Sequence, residues 1–513
     1  MSEPFRRYLS VWLRRLSTDR IERRLRDPDE SPRVIVEPVK SALRLYAMND
    51  AAASLGLKSG MPLADAQAMY PSIKTHPADH AADLSLLEAI ADWCDRYTPL
   101  IGIESRDGLI LDVSGCAHLF GGEREMGRDL IARLARQGFK ASVGLADTAG
   151  CAWAVARYGE VRLVPPGEAR NALLPLPLAA LRLGNEAIAA LAQAGLKCIA
   201  DVIEQPRSPL AARYGTDFLR RLDQALGHER ESISPRLPPP SYVVEQRFPD
   251  PIGVEADVLA TVRQLAHELS HIMERHGEGA RLFQVALFRA DGKVYRLQAG
   301  TSRPLRDPER IEHLFVEKLN GAGDECDPGF GYDVIRLAVL RSERLDPTQN
   351  GLAGRDHTSE LTQLVDRLST RFGPARMTRL LPCDTHIPEF AQTAVPAQRA
   401  RSGFKIAPAS QDSLAPVRPL RLFEHPELIE VIAKVPDGPP ARFRWREVMH
   451  DVAAAEGPER IAMEWWRDEK GHALTRDYFR IESKRGARVW LYREGLYGQG
   501  AARPRWFMHG LFA

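Results

Sequence analysis

The stretch from Glu104 to Gly115, ESRDGLILDVSG, contains the residues whose chemistry matters most in this sequence. Its apolar run LILDVSG has the pattern of a buried strand that ends in a turn. Asp107 and Gly108 come directly before that run, and Mg²⁺ prefers hard oxygen ligands such as carboxylates. Enzymes that use a pair of such ions hold them about 4 Å apart. One carboxylate is too few for that purpose, so the question is whether other acids complete a metal site.

A second candidate site is the run HELSH at 267–271, which matches the HExxH pattern of zinc peptidases. His267 and His271 lie one helical turn apart, as zinc ligands in such enzymes do. At about 100° per residue, both fall nearly opposite the apolar stripe of their helix, so we expect them to face solvent. Glu274 also stands where the extended pattern has a glycine. A zinc hydrolase is therefore a distant alternative. The stripe consists of Val258, Val262, Leu265, Leu269 and Ile272.

Composition limits the class of protein. A chain of 513 residues with 44% hydrophobic residues is typical of several globular domains. It has no long uncharged apolar run that predicts a membrane span, and arginines interrupt its N-terminus where a secretory signal would be apolar. The six cysteines form no CxxC pair, which favours a reduced, cytoplasmic compartment. The net charge of +2 neither requires nor excludes a nucleic-acid partner.

The elements that must position these residues follow from periodicity. Residues 8–165 alternate between strand and helix patterns, which predicts an α/β sheet with packed helices. Residues 170–236 are rich in Leu and Ala and predict a helix-hairpin around Gly195, or simply a small helical bundle. After a proline-rich linker, residues 242–342 follow the order β-α-β-β-α-β, with Asp291-Gly292 as a hairpin turn. Residues 385–420 predict an extended connection, and the tryptophan-rich end predicts a small domain with those tryptophans mostly in its core.

Three runs resemble motifs of the Y-family DNA polymerases, the translesion enzymes. LGLKSGMPLADAQAMYP is similar to the family's fingers motif, SRDGLILDVSG to SIDEAFLDVTG of its palm, and KASVGLADTAGCAWAVA to SVGIAxNKxLAKIA. The order and spacing also agree. The resemblance implies a right-hand architecture with a ferredoxin-like palm, fingers, a helical thumb and a β-α-β-β-α-β little finger, followed by a small C-terminal domain.

The resemblance also implies domain boundaries. Residues 1–167 correspond to palm and fingers, 168–236 to a thumb-like helix-hairpin, and 237–345 to a DNA-binding little finger. Residues 346–420 would be a linker with a clamp-binding peptide, and 421–513 a C-terminal interaction domain.

Within the family, the runs DPGFGYDVIRL and WFMHGLFA resemble the ImuB branch. That branch is implied to be non-catalytic and to act in bacterial damage-induced mutagenesis. Its implied partners are primer-template DNA, the sliding clamp, the RecA-like protein ImuA and an error-prone C-family polymerase. A cytoplasmic, nucleoid-associated location and no membrane partner are expected.

The resemblance allows catalysis to be tested residue by residue. Active relatives supply one Asp from the first strand and an Asp-Glu pair from the palm motif. Here the first strand, RYLSVWLRRLS, has no acid, and the pair falls on Asp107 and Gly108. Asp112 is also present in active relatives, so it replaces neither missing ligand. One carboxylate of three remains, so we expect no bound metal and no other cofactor.

The nucleotide pocket points the same way. The Tyr, Arg and Lys that hold the triphosphate in active relatives fall on Asp50, Ala53 and Trp153. We expect Asp50 to repel a triphosphate, and no cation remains at these positions to neutralise developing charge. The chain is therefore predicted not to be an enzyme. The alternative is an active Y-family polymerase that binds Mg²⁺ through displaced ligands.

Residues for binding are harder to identify. Arg289, Lys293, Arg296 and Arg303 flank the hairpin strands and are candidates for DNA backbone contacts, although each is equally explained as surface charge. In TQNGLAG at 348–354, Gln349 and Leu352 fit a clamp-binding peptide that lacks its terminal aromatic residue, and a plain surface loop is the alternative. A second alternative function is a scaffold that does not contact DNA.

Overall fold

The fold is taken from a computed structural model, which describes residues 6–25, 31–345, 357–400, 418–433, 438–464, 466, 475–495 and 504–512. The chain forms two compact units, residues 1–362 and 363–513. Each unit contains more than one of the predicted segments, so the finer domain boundaries stay predictions. Within the described residues, no helix is both long and apolar enough to cross a membrane.

The first part of the chain alternates between strands and helices, as the sequence predicts. In order, its elements are β1 (Tyr8–Trp12), α1 (Leu16–Leu25), β2 (Arg33–Val39), β3 (Ala42–Met48), α2 (Asp50–Ser54), α3 (Leu63–Met69), β4 (Lys74–Pro77), α4 (His80–Cys94), β5 (Ile101–Glu104), β6 (Gly108–Asp112), α5 (Glu123–Arg136), β7 (Ser142–Ala146) and α6 (Ala149–Tyr158).

The sheet that positions Asp107 has the strand order β5-β6-β1-β7, with antiparallel neighbours. Its apolar side chains alternate between two clusters because successive strand residues point to opposite faces. Leu9, Leu109 and Leu111 pack with residues of α4 and α5, whereas Tyr8 and Ile110 pack with α6. The smaller sheet β3-β2-β4 packs with α2 and α3 around a separate cluster.

The remaining elements of the first unit are a group of short helices and a third sheet with its two helices. They are α7 (Ala169–Leu173), α8 (Asn185–Gln193), α9 (Ala200–Ile203), α10 (Arg207–Tyr214), α11 (Thr216–Leu226), β8 (Tyr242–Ile252), α12 (Glu255–Arg275), β9 (Glu278–Arg289), β10 (Val294–Leu305), α13 (Pro308–Ala322) and β11 (Tyr332–Arg344).

The predicted β-α-β-β-α-β order is confirmed, and the strands form a sheet in the order β10-β9-β11-β8. Gly292 has a φ of +100°, which suits the predicted hairpin turn between β9 and β10. On α12, Val262 and Leu265 are buried, while His267 and His271 are exposed. The histidines therefore face solvent as predicted. Within the described ranges, no group of three His, Cys, Asp or Glu side chains is placed to hold a metal ion.

The second part of the chain differs from the predicted linker. Its elements are α14 (His357–Phe372), β12 (Thr378–Pro382), β13 (Gln392–Pro396), β14 (Arg421–Ala433), β15 (Pro440–Trp445), β16 (Val448–Ile461), β17 (Arg476–Ser483), β18 (Arg488–Glu494) and β19 (Arg505–Leu511). Residues 357–400 thus contain a helix and a hairpin, because local pairing between β12 and β13 satisfies backbone groups that an extended chain would leave to water.

Strands β14 to β19 form a closed β-barrel, with neighbouring strands in sequence order. Trp490 and Trp506 are buried in it, which confirms that these tryptophans serve a folded core. Asp477 and Arg493, each buried, form an ion pair of 2.6 Å inside the same domain. Burying both charges is tolerated because each compensates the other.

Candidate functional site

Asp107 lies in the turn between β5 and β6, beside the end of β1. The backbone N–H of Leu13 donates a 2.7 Å hydrogen bond to the carbonyl oxygen of Asp107, and Trp12 pairs with Gly108 in the antiparallel register. Ser105 adopts a φ of +61° in the turn. These contacts hold the Asp107 carboxylate at the junction of the first strand and the palm motif, where the resemblance places a metal site.

The side chains that contact the Asp107 carboxylate are hydrogen-bond donors. The indole Nε1 of Trp12 donates to Oδ2 at 2.8 Å, Nη2 of Arg157 donates to Oδ1 at 3.1 Å, and the Ser105 hydroxyl donates to Oδ1 at 2.9 Å. Trp12 is the residue of the first strand that reaches Asp107. Both oxygens of the carboxylate therefore already have donors where Mg²⁺ would need oxygen ligands.

Arg157, near the end of α6, fills the space beside Asp107. Its guanidinium carbon lies 4.1 Å from the ring centroid of Trp153 and 5.4 Å from that of Trp12, and the side chain is 6% exposed. Burial lowers the pKa of Arg157, and the adjacent Asp107 carboxylate opposes that shift. A guanidinium stays charged under these conditions, so the cleft contains a fixed positive charge stacked on indole rings.

The Arg157 guanidinium also occupies the space beside Gly108, where active relatives are expected to have the second carboxylate of the pair. A Cβ added at Gly108 would lie 2.8 Å from Nη2 of Arg157 and 3.0 Å from the carbonyl oxygen of Glu104. Glu104 itself is held at 3.2 Å by Arg182, whose other nitrogen contacts Glu231 at 2.6 Å. The acid nearest to Asp107 along the palm motif is thus engaged elsewhere.

The structure changes the interpretation of Asp50. Its carboxylate contacts Arg14 at 2.7 Å, Arg15 at 3.0 Å and Lys140 at 2.5 Å. The hydrogen bond from Lys140 and the neighbouring guanidinium groups lower the pKa of Asp50. The prediction that Asp50 confers a repulsive negative charge is therefore corrected: three cations from two other segments neutralise it. What Asp50 does instead is occupy those cations.

The three predicted pocket residues do not form one cluster. Asp50 and Ala53 both belong to α2, where Ala53 is exposed. Trp153 belongs to α6 and stacks on Arg157 beside Asp107. Sequence reasoning missed Trp12 and Arg157. The signal for both was present in the sequence as a tryptophan inside an acid-free first strand and an arginine one helical turn after Trp153.

Asp19 provides a pH-dependent test of this region. It is 2% exposed, burial raises the pKa of Asp19 to about 6, and the backbone N–H of Lys140 opposes that shift through a 3.0 Å hydrogen bond. In the unfolded chain the pKa of Asp19 is about 3.9. Between pH 4 and pH 6 the Asp19 carboxyl is therefore protonated in the folded chain and ionised in the unfolded chain. The free energy of unfolding therefore falls as the pH rises through this interval. Above it, the folded chain bears the full cost of a buried, ionised Asp19.

We expect Asp19→Asn to remove this penalty, since an amide does not titrate. Relative to the wild-type protein, the variant should gain about 2 kcal/mol of unfolding free energy between pH 4 and pH 7. Urea unfolding at several pH values measures the difference. A difference that stays constant over this range would show that Asp19 is ionised throughout.

The predicted DNA-binding residues do not form one exposed basic cluster. Arg289 is bonded to Asp291 at 2.6 Å, and Arg296 to Asp92 at 2.9 Å and Asp95 at 3.0 Å. Lys293 lies 4.7 Å from the ring centroid of Tyr295 and is exposed, as is Arg303. A DNA phosphate would therefore compete with carboxylates at Arg289 and Arg296. The predicted clamp-binding residues Gln349 and Leu352 lie outside the described residues.

Known proteins give the context for this geometry. The sequence matches the impB/mucB/samB family over residues 19–157 and the C-terminal domain of that family over residues 239–353. Protein ImuB of Caulobacter vibrioides is 40% identical over 470 residues, which covers 89% of this chain and 100% of that protein. DNA polymerase IV of the same species is 26% identical over 329 residues, covering 62% of this chain and 80% of that protein.

Among solved structures, DinB from Sulfolobus solfataricus covers 66% of this chain and 100% of its own, with 17% identity and a TM-score of 0.39. The match to Protein ImuB is the informative one, because it covers 89% of this chain and all of that protein. The chain therefore belongs to the ImuB family, a group homologous with the Y-family DNA polymerases.

Proposed function

We propose that this chain is a non-catalytic adaptor in translesion synthesis after DNA damage. One observation carries the proposal: the single remaining palm carboxylate, Asp107, is bonded to Trp12 and Arg157. Two-metal catalysis needs several oxygen ligands around two divalent cations. Here one cation, the Arg157 guanidinium, is built into the chain and leaves no complementary charge for a pair of metal ions.

Electrostatics explain why displaced ligands do not rescue the site. A divalent cation brought next to Asp107 would meet the positive charge of Arg157, whose guanidinium lies 3.1 Å from the Asp107 carboxylate. Expelling Arg157 would break its bond to Asp107 and its stacking on Trp153. It would also leave the guanidinium to find a new partner. We therefore favour the adaptor over an active polymerase with displaced ligands.

The ion pairs of Asp50, in the fingers-like region, also favour a non-catalytic role. Asp50 contacts Arg14, Arg15 and Lys140, so an incoming triphosphate would have to displace a carboxylate to use these cations. Internal ion pairs thus occupy the groups that polymerisation would need: Arg157 binds the Asp107 carboxylate, and Asp50 binds the cations. The chain retains the folded scaffold of a polymerase-like protein while both interactions are made internally.

The adaptor role rests on what the rest of the chain can bind. The β8–β11 domain is fully folded, and it would hold primer-template DNA through backbone contacts at Lys293 and Arg303. The partners proposed for it are the sliding clamp, the ImuA-type RecA-like protein and an error-prone C-family polymerase. The support for these partners is membership in the ImuB family and the separate C-terminal unit, which offers a second folded body for protein contacts.

Salt-dependent DNA binding tests the adaptor against a scaffold that does not contact DNA. We expect labelled primer-template to bind with an affinity that falls as salt rises, because phosphate contacts release counterions. Lys293→Ala and Arg303→Ala should each reduce the slope of log K against log salt by about 1. Arg128→Ala, an exposed arginine on α5, is the matched control. Absence of binding at low salt, in fluorescence anisotropy, would favour the scaffold.

A further inference from the structure

An exposed apolar patch lies at the end of the β8–β11 domain where Arg289 bonds to Asp327. Phe330 is 74% exposed and Val254 is 61% exposed. Their loops adjoin, since a Cβ added at Gly253 would lie 3.7 Å from Cβ of Pro328. We define Val254, Pro328 and Phe330 as the Phe330 patch. A large aromatic side chain left in water next to other apolar groups is typical of a surface that binds another molecule.

The loop that carries Phe330 is held rigidly. Gly329 and Gly331 have φ values of +46° and +82°, so the aromatic residue is flanked by two left-handed positions. The backbone N–H of Gly329 donates to Asp327 at 2.9 Å, and that of Gly331 to the carbonyl oxygen of Pro328 at 2.7 Å. A side chain displayed on a preformed loop loses little conformational entropy on binding, which favours affinity.

The loop is also fastened to the sheet beneath it. The Asp327 carbonyl oxygen accepts hydrogen bonds from Nη1 of Arg289 at 3.1 Å and from the Tyr295 hydroxyl at 3.0 Å. The Tyr332 hydroxyl donates to the carbonyl oxygen of Cys326 at 2.7 Å. Rigid attachment on both sides of Phe330 means that its exposure is not the result of a loosely placed loop. The hydrogen bonds fix it in the outward position.

A cavity of about 580 Å³ opens beside the patch. Its lining combines apolar residues, among them Val258, Leu319 and Tyr332, with the acids Glu255 and Asp327. A depression of this kind, apolar with a few polar groups, is typical of a binding site. The patch therefore combines a projecting aromatic group with a neighbouring depression, so that both surfaces of an interface could interlock.

Charge around the patch selects the kind of partner. The exposed acids on the two loops and the start of α12 are Asp250, Glu255, Asp257, Glu325 and Asp327. The cations that adjoin them are Arg289, already paired with Asp291 and Asp327, and Lys293. The rim is thus predominantly negative. It complements a basic protein surface.

We infer that the Phe330 patch binds a protein whose surface has an apolar pocket rimmed by lysine or arginine. The inference rests on the proposed adaptor function, because it gives that function a specific docking surface. Phe330 acts as the buried anchor, Val254 extends the apolar contact, and the acidic rim pairs with the basic edge of the partner's pocket. Anchors of this kind contribute most of the binding energy of an interface.

The test uses the full-length chain and three purified proteins from the same organism: the sliding clamp, the ImuA-type protein and the C-family polymerase. Binding of each is measured by biolayer interferometry with the wild-type chain and with Phe330→Asp and Val254→Asp. We expect one of the three to lose at least about 30-fold in affinity with Phe330→Asp, as for an aromatic hot spot. Charge reversal by Glu255→Lys should weaken the same complex.

Controls separate this effect from unfolding and from DNA binding. Val161→Asp places the same charge on an aliphatic residue that is 64% exposed elsewhere in the first unit, and it should leave all affinities unchanged. Thermal unfolding of Phe330→Asp should match that of the wild-type protein, since the side chain has few contacts to lose. DNA affinity should be unchanged, because the substituted residues are not the proposed phosphate contacts, Lys293 and Arg303.

The outcomes differ for the inference and for the function beneath it. If the wild-type chain binds partners and the patch variants bind them equally well, the inference alone is wrong. A loss of DNA binding by the patch variants, or of self-association in light scattering without any effect on the three proteins, overturns it in favour of DNA or a second copy. If the wild-type chain binds none of the three proteins, the proposed adaptor function fails and the inference fails with it.

Discussion

Replacement of Gly144 by alanine should destabilise the first unit by about 3 kcal/mol, the upper part of the range for overpacking a core. An added Cβ would lie 2.3 Å from the carbonyl oxygen of Ala152, 2.5 Å from the backbone nitrogen of Ala156 and 2.8 Å from Val155. These are mostly backbone atoms of α6, which cannot rotate away. Relief requires the helix to move off β7.

The expected change in melting temperature is about 4 °C, because the 362 residues of the first unit have an unfolding entropy of about 2.1 cal/mol/K per residue. The matched control is Gly127→Ala in α5. Its Cβ would meet only Val143 at 3.6 Å, an ordinary contact, and alanine suits a helix interior better than glycine by about 0.5–1 kcal/mol. The two variants should therefore shift stability in opposite directions. Equal melting temperatures for Gly144→Ala and the wild-type protein would contradict the close packing of α6 on β7.

This packing matters for the site because α6 presents both Trp153 and Arg157. Gly144 lets the helix approach β7, and the helix in turn brings Arg157 within 3.1 Å of Asp107. A helix displaced by even one ångström would lengthen that contact beyond hydrogen-bonding distance. The geometry of the cleft thus depends on Gly144, a residue whose role is packing and which does not contact Asp107.

Sequence periodicity predicted strands in the sheet beside Asp107 and the element order of the β8–β11 sheet, but not the smaller sheet β3-β2-β4. Alternation of apolar residues gave the strands around Asp107, and the Asp291-Gly292 turn gave the hairpin between β9 and β10, because both signals are local. The stripe of α12 likewise placed His267 and His271 on the solvent side. Such features depend on residues within a few positions of one another, so a single sequence contains the information.

Contacts between distant segments were not predictable in the same way. Asp50 meets Lys140 across 90 positions, and Trp12 meets Asp107 across 95. The sequence identified Asp50 as an acid in place of a tyrosine but could not show the cations around it. Its charge was therefore misjudged as repulsive. The hairpin β12–β13 was missed for a related reason, since its proline-rich composition resembles that of an extended connection while strand pairing overrides it.

We expect polymerisation to be absent, because the Asp107 carboxylate is already bonded to Trp12 and Arg157. Removing ligands from a two-metal site costs several kcal/mol of transition-state stabilisation, and each 1.4 kcal/mol is a factor of ten in rate. With one carboxylate left and Arg157 bonded to it, we expect nucleotide incorporation at least about 10³-fold slower than that of an active relative. DNA polymerase IV of Caulobacter vibrioides is a suitable positive control in the same assay.

The most direct test is primer extension by the full-length protein with all four deoxynucleotides and either Mg²⁺ or Mn²⁺. The account predicts no extension above background, and the same result for Asp107→Ala. Extension by the wild-type protein that disappears in Asp107→Ala would show that Asp107 holds a catalytic metal ion, and that result would contradict a palm cleft closed by Trp12 and Arg157.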